Sequence, residues 1–261
     1  MFAGAVALGV LASSASGSVL FETSFTAAEG FVDGGVGFGP DNPDTVIGQG
    51  PYSVVDSAGV GTLSSDSNGF VRALLGRTAA GNQTDVTSLG AGEQVVIEYI
   101  GLVVGANSAS GNNIGVVGLA NEDAGNILGG SSLAIGAQLV GNGGNGNVWI
   151  DPNTNFTPSA GADTGVAFGT AFDLTITLTS DGLGAFDVET SVNGGATLTT
   201  QSGVTPDFSK SGTLLSGHLQ DFGGANGIRL DGFRLSTVIP EPASLTLLGL
   251  GSLAMLSRRR A

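Results

Sequence analysis

Apolar and polar residues alternate with a period of two through most of the chain, and clusters of Gly, Asn, Asp and Ser separate the alternating runs. This is the pattern of short strands with one face turned inward. The strongest run is 93–104, long and partly continuous in apolar character, as a buried sandwich strand would be. Further strands are predicted at 19–25, 52–55, 70–75, 113–120, 132–140 and 148–150. Segment 172–179 alternates cleanly, Ser180 to Gly184 reads as a turn, and 185–192 alternates again. Asn193-Gly194 then predicts a tight turn into 196–200, because these residues accept positive φ. The last strands are expected at 214–219 and 228–236, the second with a bulge at Asp231-Gly232. No helix interrupts this pattern and no period repeats, which argues against a solenoid or propeller. The predicted fold class is all-β, a two-sheet antiparallel sandwich of the jelly-roll kind.

The two ends break the alternation. Residues 1–11 form an apolar run, and Ala12 to Ser18 are small. This is the shape of a signal peptide, assigned to residues 1–17, with cleavage by signal peptidase after Ala15 or Gly17. No Lys or Arg precedes the run, so the usual positive start is lacking. The sandwich domain is assigned to 18–237 and a separate tail to 238–261. The tail has three parts in order: Pro240-Glu241-Pro242, an apolar stretch from Ala243 to Leu256, and Arg258-Arg259-Arg260. The prolines fix φ and disfavour helix just ahead of the apolar stretch. As a helix that stretch would be about 21 Å long, short against a bilayer core of about 30 Å. Snorkelling arginines extend its reach. They should stay on the cytoplasmic side, leaving the body outside.

These three parts resemble the PEP-CTERM sorting signal of Gram-negative and related bacteria. The resemblance covers Pro240 to Ala261. It implies recognition by an exosortase, a membrane-embedded transpeptidase-like enzyme that cuts near Pro240-Glu241-Pro242. The body would then be released or transferred to the cell surface or extracellular matrix, in a setting that commonly includes exopolysaccharide.

Composition narrows the function. The chain has 22 acidic and 8 basic residues, three of the latter in the terminal cluster. The acidic body repels phosphate backbones, so nucleic acid is not an expected partner. There is no Cys, which excludes a disulfide framework, thiolate metal sites and a Cys nucleophile. Stability must come from the core or from bound ions.

A second resemblance spans most of the body. Phe21-Glu22-Thr23-Ser24-Phe25, Tyr52-Ser53-Val54, Phe70-Val71-Arg72-Ala73, the hairpin ending in Val192-Asn193-Gly194, and Ile228 to Phe233 together resemble the concanavalin A-like (laminin-G-like) sandwich. The likeness rests on pattern and implies a curved sheet whose concave face can hold sugar.

Candidate chemistry is sparse. His218 is the sole His, and no Gly-x-Ser-x-Gly turn accompanies it, so no catalytic role is assigned. Glycoside hydrolysis needs two carboxylates across a cleft. Glu93 and Glu98 have opposite parity, whereas Asp187 and Glu189 share a face that alternates with Phe186 and Val188, as a solvated outer face would. For sugar, the candidates are Trp149 as an aromatic platform with Asn147 and Asp151 beside it, and Tyr52 or Tyr99 as other platforms. For Ca²⁺, the candidates are Asp33, Asp41 and Asp44 in a Gly/Pro-rich loop, with acidic turns at Asn121 to Asp123 and around Asp221 and Asp231 as alternatives. None has EF-hand spacing. The expected role is that of an exported, non-enzymatic surface or matrix protein. Its rivals are a calcium-assisted lectin-like module and, less favoured, a polysaccharide-degrading enzyme.

Overall fold

A computed structural model describes residues 16–35, 46–49, 52–55, 57–59, 61–65, 71–76, 83–105, 112–120, 133–141, 146–152, 161–208, 214–221 and 227–239. Strands are numbered in chain order. The first sheet runs β15 (Thr197–Val204), β14 (Phe186–Val192), β13 (Phe172–Ser180), β8 (Gln94–Val104). The other side of β8 takes two partners end to end. One is β18 (Gly232–Ile239), which holds β1 (Ser16–Thr23). The other is β17 (Ile228–Leu230), which leads to β5 (Thr62–Ser65), β4 (Tyr52–Val55) and β2 (Gly34–Gly35). The second sheet runs β12 (Ala162–Ala167), β11 (Asn147–Asp151), β10 (Leu133–Gly141), β9 (Asn112–Ala120), β16 (Leu214–Asp221), β6 (Val71–Leu75), β3 (Val46–Gln49), with β7 (Thr84–Asp85) also on β16. All pairings are antiparallel, so the predicted two-sheet sandwich is the observed one.

The strands that alternate strongly in sequence are those expected, with ends displaced by a few residues. β3, β5, β12 and the two-residue β2 and β7 were not predicted. Each is short, and β12 has Val166 as its one large apolar side chain, too little for a period-two signal. The strand predicted at 19–25 stops at Thr23, because Phe25 takes φ of 54° and turns its ring into the core, edge-on to Phe31 at 5.5 Å. The Glu29 carboxylate holds this turn, accepting from the backbone N–H of Ser24 and Thr26 and from the Thr23 hydroxyl. The bulge expected at Asp231-Gly232 is not in that strand. Ile228↔Val104 and Gly232↔Ile100 keep the same offset against β8, so no residue is inserted; instead the chain bends at Asp231, between β17 and β18. The irregularity lies in β8 against β13, next to Gly101 at φ 63°.

The core fills the gap between the sheets. Val95, Ile97, Tyr99, Leu174, Ile176, Leu178, Phe233 and Leu235 come from the first sheet, and Val117, Leu119, Ile135, Ala137, Leu139, Val148, Ile150 and Leu219 from the second. At its centre Tyr99 crosses from one sheet to the other. Its hydroxyl accepts from Gly118 N–H at 2.7 Å and donates to the carbonyl of His218 at 2.5 Å. Burial pushes this phenol's pKa well up, so it stays a donor at all working pH values. Its ring meets Phe233 edge-on at 5.3 Å. Phe233 reaches so close to β16 that a Cβ on Gly217 would stand 2.1 Å from its Cζ. On the exposed face, Arg234 joins Glu22 at 2.7 Å and approaches Glu98 at 3.6 Å, a cross-strand trio over β1, β18 and β8.

Two outcomes are expected. Tyr99→Phe keeps the ring and strands the buried Gly118 donor, so urea unfolding should show a loss of about 1–3 kcal/mol; an unchanged midpoint would refute the bridging role. For Glu29, burial raises the carboxyl pKa, but hydrogen bonds from Thr26, Ser24 and Thr23 outweigh it and the net value lies below the ordinary 4.5. A depressed folded pKa gives stability that is full above the unfolded value and is lost as pH falls through the folded one. Glu29→Gln should therefore lower the melting temperature at pH 7 and flatten its decline in acid below about pH 4.5; a parallel acid limb would count against this.

Candidate functional site

The second sheet is shielded on both faces along its centre: every residue of β10 is buried, as are Leu215 to Asp221 of β16. One face belongs to the core. The other carries Leu74, Val116, Ala120, Leu133 and Val140, which are buried yet stand outside the core cluster. Among them lie the buried polar residues Ser216, His218, Gln220, Gln138 and Asp151.

Register orders these residues into rows. One row crosses Arg72, Gln220, Val116, Gln138 and Asp151 on β6, β16, β9, β10 and β11. Its neighbour crosses Leu74, His218, Gly118 and Gly136. Gly118 and Gly136 face each other so tightly that a Cβ on either would stand within 3 Å of the other's Cα. The His218 ring Nε2 lies 3.3 Å from Gln220 Oε1 within this layer. The third row is Val140, Trp149 and Asp163 on β10, β11 and β12.

Alternation in β11 sends Val148 and Ile150 into the core, so Asn147, Trp149 and Asp151 share the opposite face. The three candidates therefore stand on one face, as β11 requires. Asp151 is fully buried beside Gln138, while Asn147 and Trp149 are half-buried toward the sheet's margin. Asp163 joins them from β12. Its Oδ1 accepts from Asn147 Nδ2 at 3.0 Å and from Gly165 N–H at 2.8 Å. Gly165, at φ 70°, lets β12 arch over, and Thr164 ties the arch to the Val148 carbonyl at 2.7 Å. The result is a hydrogen-bonded carboxylate and amide on the same face and margin as the half-buried Trp149.

Sequence reading missed Asp163, Gln138, Gln220 and His218 as members of this face. The β16 alternation of Leu215, Gly217 and Leu219 against Ser216, His218 and Gln220 was a usable signal. Asp163 had none, because only strand pairing brings it to Trp149.

Other expected sites fall elsewhere. Asp33 Oδ1 accepts from the Ser57 N–H at 2.8 Å, and the backbone and side-chain hydrogen bonds from Ser57 hold its carboxyl below the usual range. Asp41 and Asp44, Asn121 to Asp123, and the sorting residues Pro240, Glu241, Pro242, Arg258, Arg259 and Arg260 lie outside the described residues. Asp231 accepts from the Thr62 hydroxyl at 2.8 Å. Among the described residues, no three His, Asp or Glu side chains gather as a metal set. Glu98 sits by Arg234 on the first sheet, Glu93 accepts from Gly90 N–H in a turn, and Asp187 is exposed and Glu189 half-buried on β14. None of these carboxylates lies on the face that carries Trp149.

Comparison with known proteins bears on the tail and on the fold of the body. Residues 238–260 match the PEP-CTERM protein-sorting motif. No curated protein matches the sequence. Among solved structures, the fold is similar to lectin UEA-II complexed with galactose, at 16% identity and TM-score 0.52, covering 85% of this chain and 100% of that one. It is similar also to lectin II from Ulex europaeus, at 16% identity and TM-score 0.51 over 85% and 100% of the two chains. Peanut lectin with a nine-residue peptide gives 14% identity and TM-score 0.50 over 87% and 99%. The chain thus joins a two-sheet sandwich, similar in fold to these lectins, to a PEP-CTERM protein-sorting motif.

Proposed function

We propose that this is an exported, non-enzymatic cell-surface or matrix protein. In this reading an exosortase processes it at Pro240-Glu241-Pro242 after signal peptidase has removed the leader, and it binds polysaccharide through the Asn147–Trp149–Asp163 margin of the second sheet. The observation that carries the sugar-binding part is the Asp163 carboxylate, in the row of Trp149 and bonded to Asn147. An indole packs against the C–H face of a sugar ring, and carboxylate and amide groups bond its hydroxyls. The sorting motif supports export, and the similarity to lectin sandwiches is compatible with a glycan ligand. Exopolysaccharide outside the cell is the corresponding partner, and an acidic body excludes neither it nor other neutral glycans.

Because Trp149 is the sole Trp, its fluorescence reports this margin directly. Titration with a neutral exopolysaccharide, including a galactose-containing one, should shift or quench Trp149 emission, with and without added Ca²⁺ as separate arms. Asp163→Ala should weaken binding by roughly ten-fold or more, about the 1.4 kcal/mol or more expected for a charged hydrogen-bond partner. A blank titration with every glycan in both arms would sink the sugar-binding reading. For the tail, intact mass should show loss of residues from near Pro240 onward in cells that carry an exosortase and retention in cells that lack it. Glu241→Ala should block the cut, and an identical mass in both backgrounds would remove exosortase from the account.

A further inference from the structure

The chain leaves the sandwich at one end, and the candidate sugar-binding margin is at the other. Ile239 is the last paired residue of β18 and faces Ser16, the first of β1. One residue earlier, Val238 faces Gln94, the first residue of β8. The Ser180 turn closes against the same end, through Gly92 N–H to the Ser180 carbonyl, and carries Leu183, 92% exposed. The opposite end of β8 is Val104. There Gly169 N–H donates to the Val104 carbonyl and Phe168 N–H to that of Gly146, which puts the start of β11 at this level. Gly115 of the second sheet lies against Ile228, itself paired with Val104, so the two sheets are aligned end for end. The eleven residues of β8 make the two ends about 33 Å apart, at about 3.3 Å per residue.

The linker is short. Only Pro240, Glu241 and Pro242 stand between Ile239 and the apolar stretch that begins at Ala243. Three residues span at most about 11 Å, and two of them have fixed φ. That is about a third of the length of β8, so the Ile239 end is held against the membrane surface while the far end is tethered by nothing in the linker.

We propose that the tail-anchored form stands end-on. Its Ile239–Leu183 end faces the lipid headgroups, and the Asn147–Trp149–Asp163 margin is held away from them, open to extracellular polymer before the tail is cut. This rests on the reading of the tail as membrane-inserted.

The chain has no Cys, so single cysteines label it at one place. Leu183→Cys marks the tail end. Thr170→Cys marks the far end, in the exposed turn beside Gly169. The full chain would be reconstituted into phosphatidylcholine/phosphatidylglycerol vesicles with an acceptor dye on the headgroups. Energy transfer from position 183 should exceed that from position 170 by about threefold or more, given the ~33 Å between ends. Equal transfer in a chain that floats with the vesicles overturns the orientation alone. A chain that does not float with the vesicles overturns the anchor, and the orientation with it.

Discussion

The Tyr99 hydroxyl is where the two sheets are registered against each other. It sits midway along β8, crosses the core, and meets the backbone of both β9 and β16. Apolar packing alone would let two sheets slide, since it has no preferred direction. A buried donor and acceptor pair does not slide, because breaking it leaves polar groups unsatisfied at a cost of about 1–3 kcal/mol. The surroundings serve this contact. Gly217 makes room for the Phe233 ring that leans on Tyr99, and Gly118 and Gly136 let β9 and β10 approach without side chains between them.

That alignment decides what stands on the outer face of the second sheet. Once Leu139, Ala137 and Ile135 are committed to the core, Gln138 and its row partners Gln220 and Asp151 must take the other side. They are buried there with Val116 and Leu74, so the centre of the sheet is a filled layer rather than an open floor. Access is left at the β11–β12 margin, where Trp149, Asn147 and Asp163 are half-buried. The β12 arch at Gly165 supplies the carboxylate that β11 lacks at this position.

The β1–β18 pairing brings together the two ends at which cleavage is proposed. Ser16↔Ile239 closes the ladder, so the residues next to both expected cuts lie side by side in one edge ribbon. A cut after Gly17 would still leave the five pairs from Ser18↔Thr237 to Thr23↔Phe233, and the Arg234–Glu22 contact. The exposed ion pair adds little by itself. The backbone ladder and Phe21 against Phe233 in the core hold the ribbon.

Much of this protein was legible in its residues. The sorting tail is a linear signal, written in consecutive positions, and needs no fold to be read. Strands with strong alternation, such as β8, β13 and β14, were equally plain, whereas β3, β5 and β12 were not, because four to six residues are too few to leave a clear period-two trace. The bulge near Gly101 had no sequence signal, since its cause is a mismatch between β8 and β13 that neither sequence carries alone. For the site, alternation already grouped Asn147, Trp149 and Asp151. But a period of two is symmetric: it says which residues share a face and is silent on which face meets the core. The stacking of the sheets settled that by taking Val148 and Ile150 inward, and strand pairing brought Asp163 to Trp149 across a separation in sequence that no local pattern spans.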